Sequence, residues 1–182
     1  MTFLLCTINI LVFTVELCIG GINDDALLAA NPDTLTVMGN KNVDKMLYEY
    51  QIWRFFTPMF LHANLTHLLG NLLGTMVLGS SLEGDLGKWK FLALYILSGM
   101  GGILFSCVCD NTQSCGASTA IFGLVGSYVA FLILNWAYLK EHTDRRCQIF
   151  IFLAFSLIMS IGLASQVRNL LTSFRKSMYS VI

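Results

Sequence analysis

Charge is scarce in this sequence: Asp, Glu, Lys and Arg make up 12% of its 182 residues, roughly half the share found in soluble domains. A basic excess is also missing, because eleven Lys and Arg balance eleven Asp and Glu. Without one, a phosphate backbone cannot be neutralised, and nucleic acid is excluded as a partner. The six cysteines are too few and too scattered for the disulfide scaffold of a small secreted domain. What is abundant is apolar: 55% of residues are hydrophobic and the mean hydropathy is +0.68. An all-α, polytopic membrane bundle is the fold class this composition predicts, with the lipid bilayer as its surroundings.

A helix needs roughly 17 to 25 mostly apolar residues to cross the hydrocarbon layer. Five windows meet that length: about Thr2 to Ile19, Asn64 to Ser81, Phe91 to Val108, Gly116 to Tyr138 and Cys147 to Ala164. No Lys or Arg precedes the first apolar run and no small-residue cleavage signature follows it, so it reads as a retained span rather than a signal peptide. An Arg-rich amphipathic presequence of the mitochondrial kind is absent as well.

The longest connection, Gly20 to Ala63, mixes apolar residues with Asp33, Lys41, Asp44, Lys45, Glu49 and the pair Trp53-Arg54. A connector of that length is expected to be structured and partly embedded in the membrane. Lys88 and Lys90 follow the second span, and Lys140, Arg145 and Arg146 follow the fourth. The positive-inside rule then places both loops, and the amino terminus, in the cytoplasm.

Beyond the first 165 residues the pattern changes. Leu163, Val167, Leu170, Leu171, Phe174 and Met178 recur at helical spacing, with Arg168, Arg175 and Lys176 among them. Charges at those positions make a sixth crossing expensive. Residues 166–182 are therefore expected to form a basic amphipathic tail, either an interfacial helix or a disordered end, attached to a membrane domain of residues 1–165.

Some polar residues demand an explanation in so apolar a chain. His62, His67 and Asn71 surround the start of the second span, and His67 and Asn71, four apart, share a helix face. Groups at that depth look inward, either to pack helices or to build a site. Asn64 opens an Asn-Leu-Thr sequon, but its position predicts a helix cap. Ser118 begins the fourth span within Cys115-Gly116-Ala117-Ser118, where a helix start offers free backbone N–H groups and the small neighbours admit another backbone. Gly70, Gly74, Gly99, Gly101, Gly102, Gly123 and Gly126 suit close helix contact. Cys107, Cys109 and Cys115 cluster near one end of spans three and four. Packing or a disulfide suits them, while a metal lacks a convincing fourth ligand, and no cofactor is expected.

In combination these residues resemble the rhomboid intramembrane serine proteases, from the first span through the fifth. Trp53-Arg54 looks like that family's Trp-Arg motif, His62-x4-His67-x3-Asn71 like its His-x4-His-x3-Asn signature, and Gly116-Ala117-Ser118 like its Gly-x-Ser-Gly motif. The resemblance implies Ser118 as nucleophile, His67, Asn71 and the Ser118 N–H as the oxyanion hole, and His62 lining the cavity. Its implied partners are the transmembrane helices of substrate or client proteins.

The sequence departs from the family pattern in two places. Thr119 stands where the family usually has glycine, and the family takes its base from a histidine on a sixth span. The histidines here are His62, His67 and His142. His142 sits at the far end of the fourth span, and about 20 helical residues separate their ends by roughly 30 Å. Proton transfer needs a separation of about 3 Å. Two readings follow: an intramembrane serine endopeptidase framework, or a catalytically inactive relative that binds transmembrane clients, with the sixth span either lost or missing from a truncated product.

Overall fold

The computed structural model describes residues 1–23, 26–154 and 156–158. They fall into two compact units that divide between Ser127 and Tyr128. In the first, α1 (Thr2–Gly20) leads to a short antiparallel pair, β1 (Ile22–Asn23) and β2 (Ala29–Ala30), in which Ile22 faces Ala30. The long connection continues through α2 (Pro32–Met38), α3 (Val43–Tyr48) and two 3-10 turns, Ile52–Phe55 and Thr57–Phe60. Next come α4 (Leu65–Gly74), a π-helical turn (Thr75–Gly79), α5 (Ser80–Leu86), α6 (Lys88–Cys109) and α7 (Ser118–Leu134).

Among the described residues, three helical runs are long and apolar enough to cross a membrane: α1, the continuous Leu65–Leu86 run and α6. Their outer faces carry exposed apolar side chains such as Phe3, Leu11, Leu97, Phe105 and Val108. In a multi-pass membrane protein such side chains meet lipid tails rather than water. The inner faces hold what lipid would not accept. On α1, Thr2, Leu5, Cys6, Asn9, Phe13 and Glu16 form one buried stripe, and on α6 the buried face is Phe91, Tyr95, Gly99 and Ile103.

Asparagine starts three of the helices, because its side-chain oxygen accepts an otherwise unpaired N–H of the first turn. Asn31 accepts from Asp33 at 2.9 Å, Asn42 from Lys45 at 3.1 Å and Asn64 from His67 at 2.8 Å. Pro32 opens α2, where its missing N–H costs nothing.

The long connection is a folded element, as its length and composition predict. Lys41 is buried at 1% exposure, and its Nζ donates to the Ser106 carbonyl and hydroxyl and to the Asp110 carbonyl at 3.3, 2.8 and 2.8 Å. A cation there suits the carbonyl-rich end of α6, where the Ser106 carbonyl also accepts the Asp110 N–H at 2.9 Å. The Lys41 N–H also donates to the Ser114 carbonyl at 2.8 Å, drawing the segment before α7 onto the loop.

Small residues let α6 and α7 approach closely. A Cβ on Gly99 would strike Met59 and lie 3.2 Å from the Ala120 Cβ; one on Gly102 would lie 2.9 Å from the Thr119 Cβ; one on Gly123 would strike Ser98. Gly74 gives α4 the same closeness to Ile121 of α7, at 3.3 Å.

The fourth window does not remain one helix to Tyr138. α7 stops at Leu134, and α8 (Trp136–Glu141) begins after Asn135. The Asn135 Nδ2 donates to the Phe131 carbonyl at 3.1 Å, a local bond of the kind that competes with helix continuation. In the second unit, Tyr128 meets Phe152 edge-on at 5.2 Å, and Leu139 and Ile149 are buried. Helix resumes over residues 143–154, four residues ahead of the fifth window's start. The expected tail of residues 166–182 lies outside the described residues. All six cysteines are free thiols, which removes the disulfide alternative for Cys107, Cys109 and Cys115.

Candidate active site

The site begins with the Trp-Arg pair. Arg54 is almost fully buried and fans its guanidinium into the loop: Nε donates to Gln51 at 2.7 Å, Nη1 to the Asn40 carbonyl at 2.8 Å and Nη2 to the Thr36 carbonyl at 2.9 Å. Burial lowers its pKa, and nearby Glu49 opposes that shift. The planar fork thus ties α2 to the first 3-10 turn in a way a lysine point charge could not. Trp53 beside it stays half-exposed.

The second turn carries that order to the segment before α7. Thr57 Oγ1 donates to the Gly39 carbonyl at 2.5 Å, and the Pro58 carbonyl accepts the Gly116 N–H at 2.7 Å. Gly116 adopts φ +121°, a conformation that glycine alone takes easily. The bend presses its Cα against the second span: a Cβ added there would lie 2.5 Å from His67 Cε1, 2.7 Å from His67 Nε2 and 3.3 Å from Asn71 Nδ2. His67 and Asn71, four apart on α4, therefore border the same glycine. Ser118, half-buried, opens α7 two residues later.

His62 completes the group. Its ring lies 5.4 Å from the His67 ring at 61°. The Nδ1 sits 3.2 Å from the Phe60 carbonyl, which can only accept, so Nδ1 carries the proton and Nε2 the lone pair. Burial, with a smaller contribution from His67, pushes the His62 pKa down to about 3, so the imidazole is neutral at physiological pH. Cys115 is no rival nucleophile: burial, reinforced by the Glu16 carboxyl, pushes its thiol up to about 12.

Two buried polar atoms here, His62 Nε2 and Asn71 Nδ2, have no hydrogen-bond partner among the described residues. An unpaired amide donor facing the turn before Ser118, together with the free N–H groups of the first turn of α7, can hold an oxygen that becomes negative during acyl transfer.

The structure also places the residues that depart from the motif. The Thr119 side chain turns to Gly102 of α6, and its Oγ1 is buried without a partner. His142 belongs to the second unit, where its ring lies 4.1 Å from Tyr138. Glu16, on the inner stripe of α1, was not singled out by motif; both its oxygens accept from the His62 N–H, at 3.2 and 3.3 Å. Its signal in the sequence is that it is the one acidic residue in the first apolar run.

A rhomboid domain model matches residues 49–170, most of the chain, including His62, His67, Asn71, Gly116 and Ser118. The chain belongs to the rhomboid family. It is 33% identical over 148 residues to RHOMBOID-like protein 1 of Arabidopsis thaliana, covering 80% of this chain and 37% of that one. Over 145 residues it is 32% identical to Rhomboid-like protease 2 of Toxoplasma gondii, covering 78% of this chain and 50% of that one. Over 151 residues it is 32% identical to RHOMBOID-like protein 5 of Arabidopsis thaliana, covering 81% and 48%. The chain thus spans between 37% and 50% of the length of these relatives. As a rhomboid-family chain with several apolar crossings, it is a multi-pass integral membrane protein.

Proposed function

We propose that this chain carries the nucleophile and oxyanion side of an intramembrane serine endopeptidase that acts on the transmembrane segments of other membrane proteins. Ser118 Oγ attacks the carbonyl carbon of a peptide bond exposed where a client helix unwinds. The carbonyl oxygen, now negative, receives hydrogen bonds from Asn71, His67 and the Ser118 N–H. The tetrahedral adduct collapses to a serine ester as the C–N bond breaks and the proton lost by the Ser118 hydroxyl passes to the departing amine nitrogen; water then cleaves the ester, releasing the acid and restoring the hydroxyl. His62, neutral and tied to Phe60, lines the cavity. The observation that supports this reading most is the buried Asn71 Nδ2 beside Gly116, a desolvated donor with no acceptor among the described residues.

The histidine inventory favours a second reading, a client-binding relative that does not cut. His62 and His67 are the imidazoles of the first unit, and neither occupies a sixth span. If His67 served as base it would cease to be an oxyanion donor, and an unactivated serine is a weak nucleophile. In both readings the partner is a transmembrane helix within a lipid bilayer, and the positive-inside pattern puts the amino terminus in the cytoplasm.

The test is to co-reconstitute the chain with single-pass segments carrying helix-breaking residues near their outward end. The first reading expects discrete fragments that disappear in Ser118→Ala while cross-linking of the uncut segment persists. Cross-linking without fragments in either form would establish the second reading. Fragments that survive Ser118→Ala would remove Ser118 as nucleophile.

A further inference from the structure

The inner stripe of α1 carries polar residues at a fixed interval. Thr2, Asn9 and Glu16 are all buried and stand seven residues apart, two turns or about 10.5 Å of helix. Each meets a different layer of the bundle. Thr2 gives its N–H and hydroxyl to Glu83 at 2.7 and 2.8 Å. Asn9 lies near the Tyr95 hydroxyl of α6, as does Thr75 of the π turn, without a hydrogen bond of good geometry among the described residues. Glu16, at 0% exposure, meets the backbone of His62. The first two contacts join helix to helix. The third joins α1 to the segment that presents the candidate site.

That segment has defined edges. Ala63 accepts from the Ala30 N–H at 2.9 Å and the Leu65 N–H donates to Leu27 at 3.2 Å, so β2 and its lead-in hold one side. Leu61 is packed with Ala30 and Leu35. His62 faces the other way, and its N–H reaches only Glu16 among the described residues. Its side chain is anchored by Phe60 and meets the His67 ring edge-on, so a shift of the His62 backbone is passed to the imidazole that borders Gly116. The groups facing Glu16 are His62 and, electrostatically, the Cys115 thiol; no cation pairs with it among the described residues. A carboxyl retained in a membrane helix without a counter-ion requires a reason beyond packing.

Resting on the assignment of the Ser118 site, we propose that Glu16 is a positioning residue of that site: its carboxyl holds the His62 backbone, and through it the His62–His67 pair, against the Gly116 turn. It acts through the peptide N–H and makes no contact with a substrate.

The experiment uses the full chain in lipid bicelles. Amide hydrogen exchange and the ring-nitrogen NMR signals of His62 and His67 are followed in Glu16→Leu, Glu16→Gln and, as a control one rung away, Asn9→Leu. Glutamine keeps an acceptor oxygen, and leucine does not. Glu16→Leu is expected to accelerate His62 amide exchange by about tenfold, the equivalent of one lost hydrogen bond, without accelerating exchange across α6. It should also shift both imidazole signals. Glu16→Gln should stay within about threefold of the unmodified chain, and Asn9→Leu should leave the imidazole signals in place. Unchanged His62 exchange in Glu16→Leu overturns the proposal, as does uniform acceleration throughout the bundle. A Glu16→Gln variant indistinguishable from leucine also overturns it. Exchange and ring signals are read without any client, so failure to capture or cut a transmembrane segment would count against the site's function and not against the positioning role of Glu16.

Discussion

Gly116→Ala is expected to lower client cleavage, or client cross-linking if the chain binds without cutting, by about 100-fold, the cost typical of an active-site displacement near 1 Å. Two effects coincide at this position. A φ of +121° strains any residue with a side chain. The new methyl would also lie 2.5 Å from His67 Cε1 and 2.7 Å from Nε2, inside the distance real Cβ atoms keep, so the imidazole must move. Asn71 Nδ2, at 3.3 Å, is disturbed less. Gly126→Ala is the matched control, because a Cβ there meets nothing within 4 Å and α7 tolerates alanine well. Initial rates or cross-linking yields in vesicles of equal protein content provide the measurement. Equal values for Gly116→Ala and Gly126→Ala would show that the Gly116 turn does not position the second span's polar face.

Asn71→Ala should be nearly as damaging, slowing acyl transfer by about 10² to 10³-fold, the usual cost of one oxyanion donor. Here the fold should suffer little. Asn71 Nδ2 makes no hydrogen bond among the described residues, so its removal strands no acceptor there and abolishes a buried unpaired donor. Loss of rate with retained or slightly raised thermal stability is therefore the combined expectation, measured by client cleavage and by thermal unfolding in the same detergent. A large stability loss with proportionate loss of rate would mean that Asn71 packs the bundle and has no donor role.

The elements most legible in the sequence were those set by local pattern. The three long crossings follow from apolar length alone, and the cap at Asn64 follows from a short polar side chain before a helical run. The long connection was legible as folded from its size, but its construction was not. Lys41 and Arg54 read as loop charges, yet both are buried because their partners are backbone carbonyls 14 to 69 residues away in sequence, brought to them only by the folded loop. The end of α7 was missed because Asn135 is a single polar residue in an apolar run; the helix stops just before it, and its side chain folds back onto the Phe131 carbonyl.

The candidate site shows the same division. The spacing of His67 and Asn71 placed them on one face, and both border Gly116. Thr119 stood out as a departure from the family's glycine; sequence gives no direction to its side chain, and the structure turns it to Gly102 on α6. Glu16 was visible as an intramembrane carboxyl, but its bond to the His62 backbone depends on the folded loop returning to α1. The heptad of Thr2, Asn9 and Glu16 becomes meaningful only once Glu83, Tyr95 and His62 are seen opposite its three rungs.

The most direct test of the account is where a serine-directed phosphonofluoridate, whose phosphoryl oxygen mimics the oxyanion, becomes attached to the membrane-embedded chain. Peptide mass mapping is predicted to find a single adduct on Ser118, strongly reduced in Asn71→Ala and in Gly116→Ala. An unmodified Ser118, or an adduct formed equally well without Asn71, would contradict the assignment of nucleophile and oxyanion donor to this site.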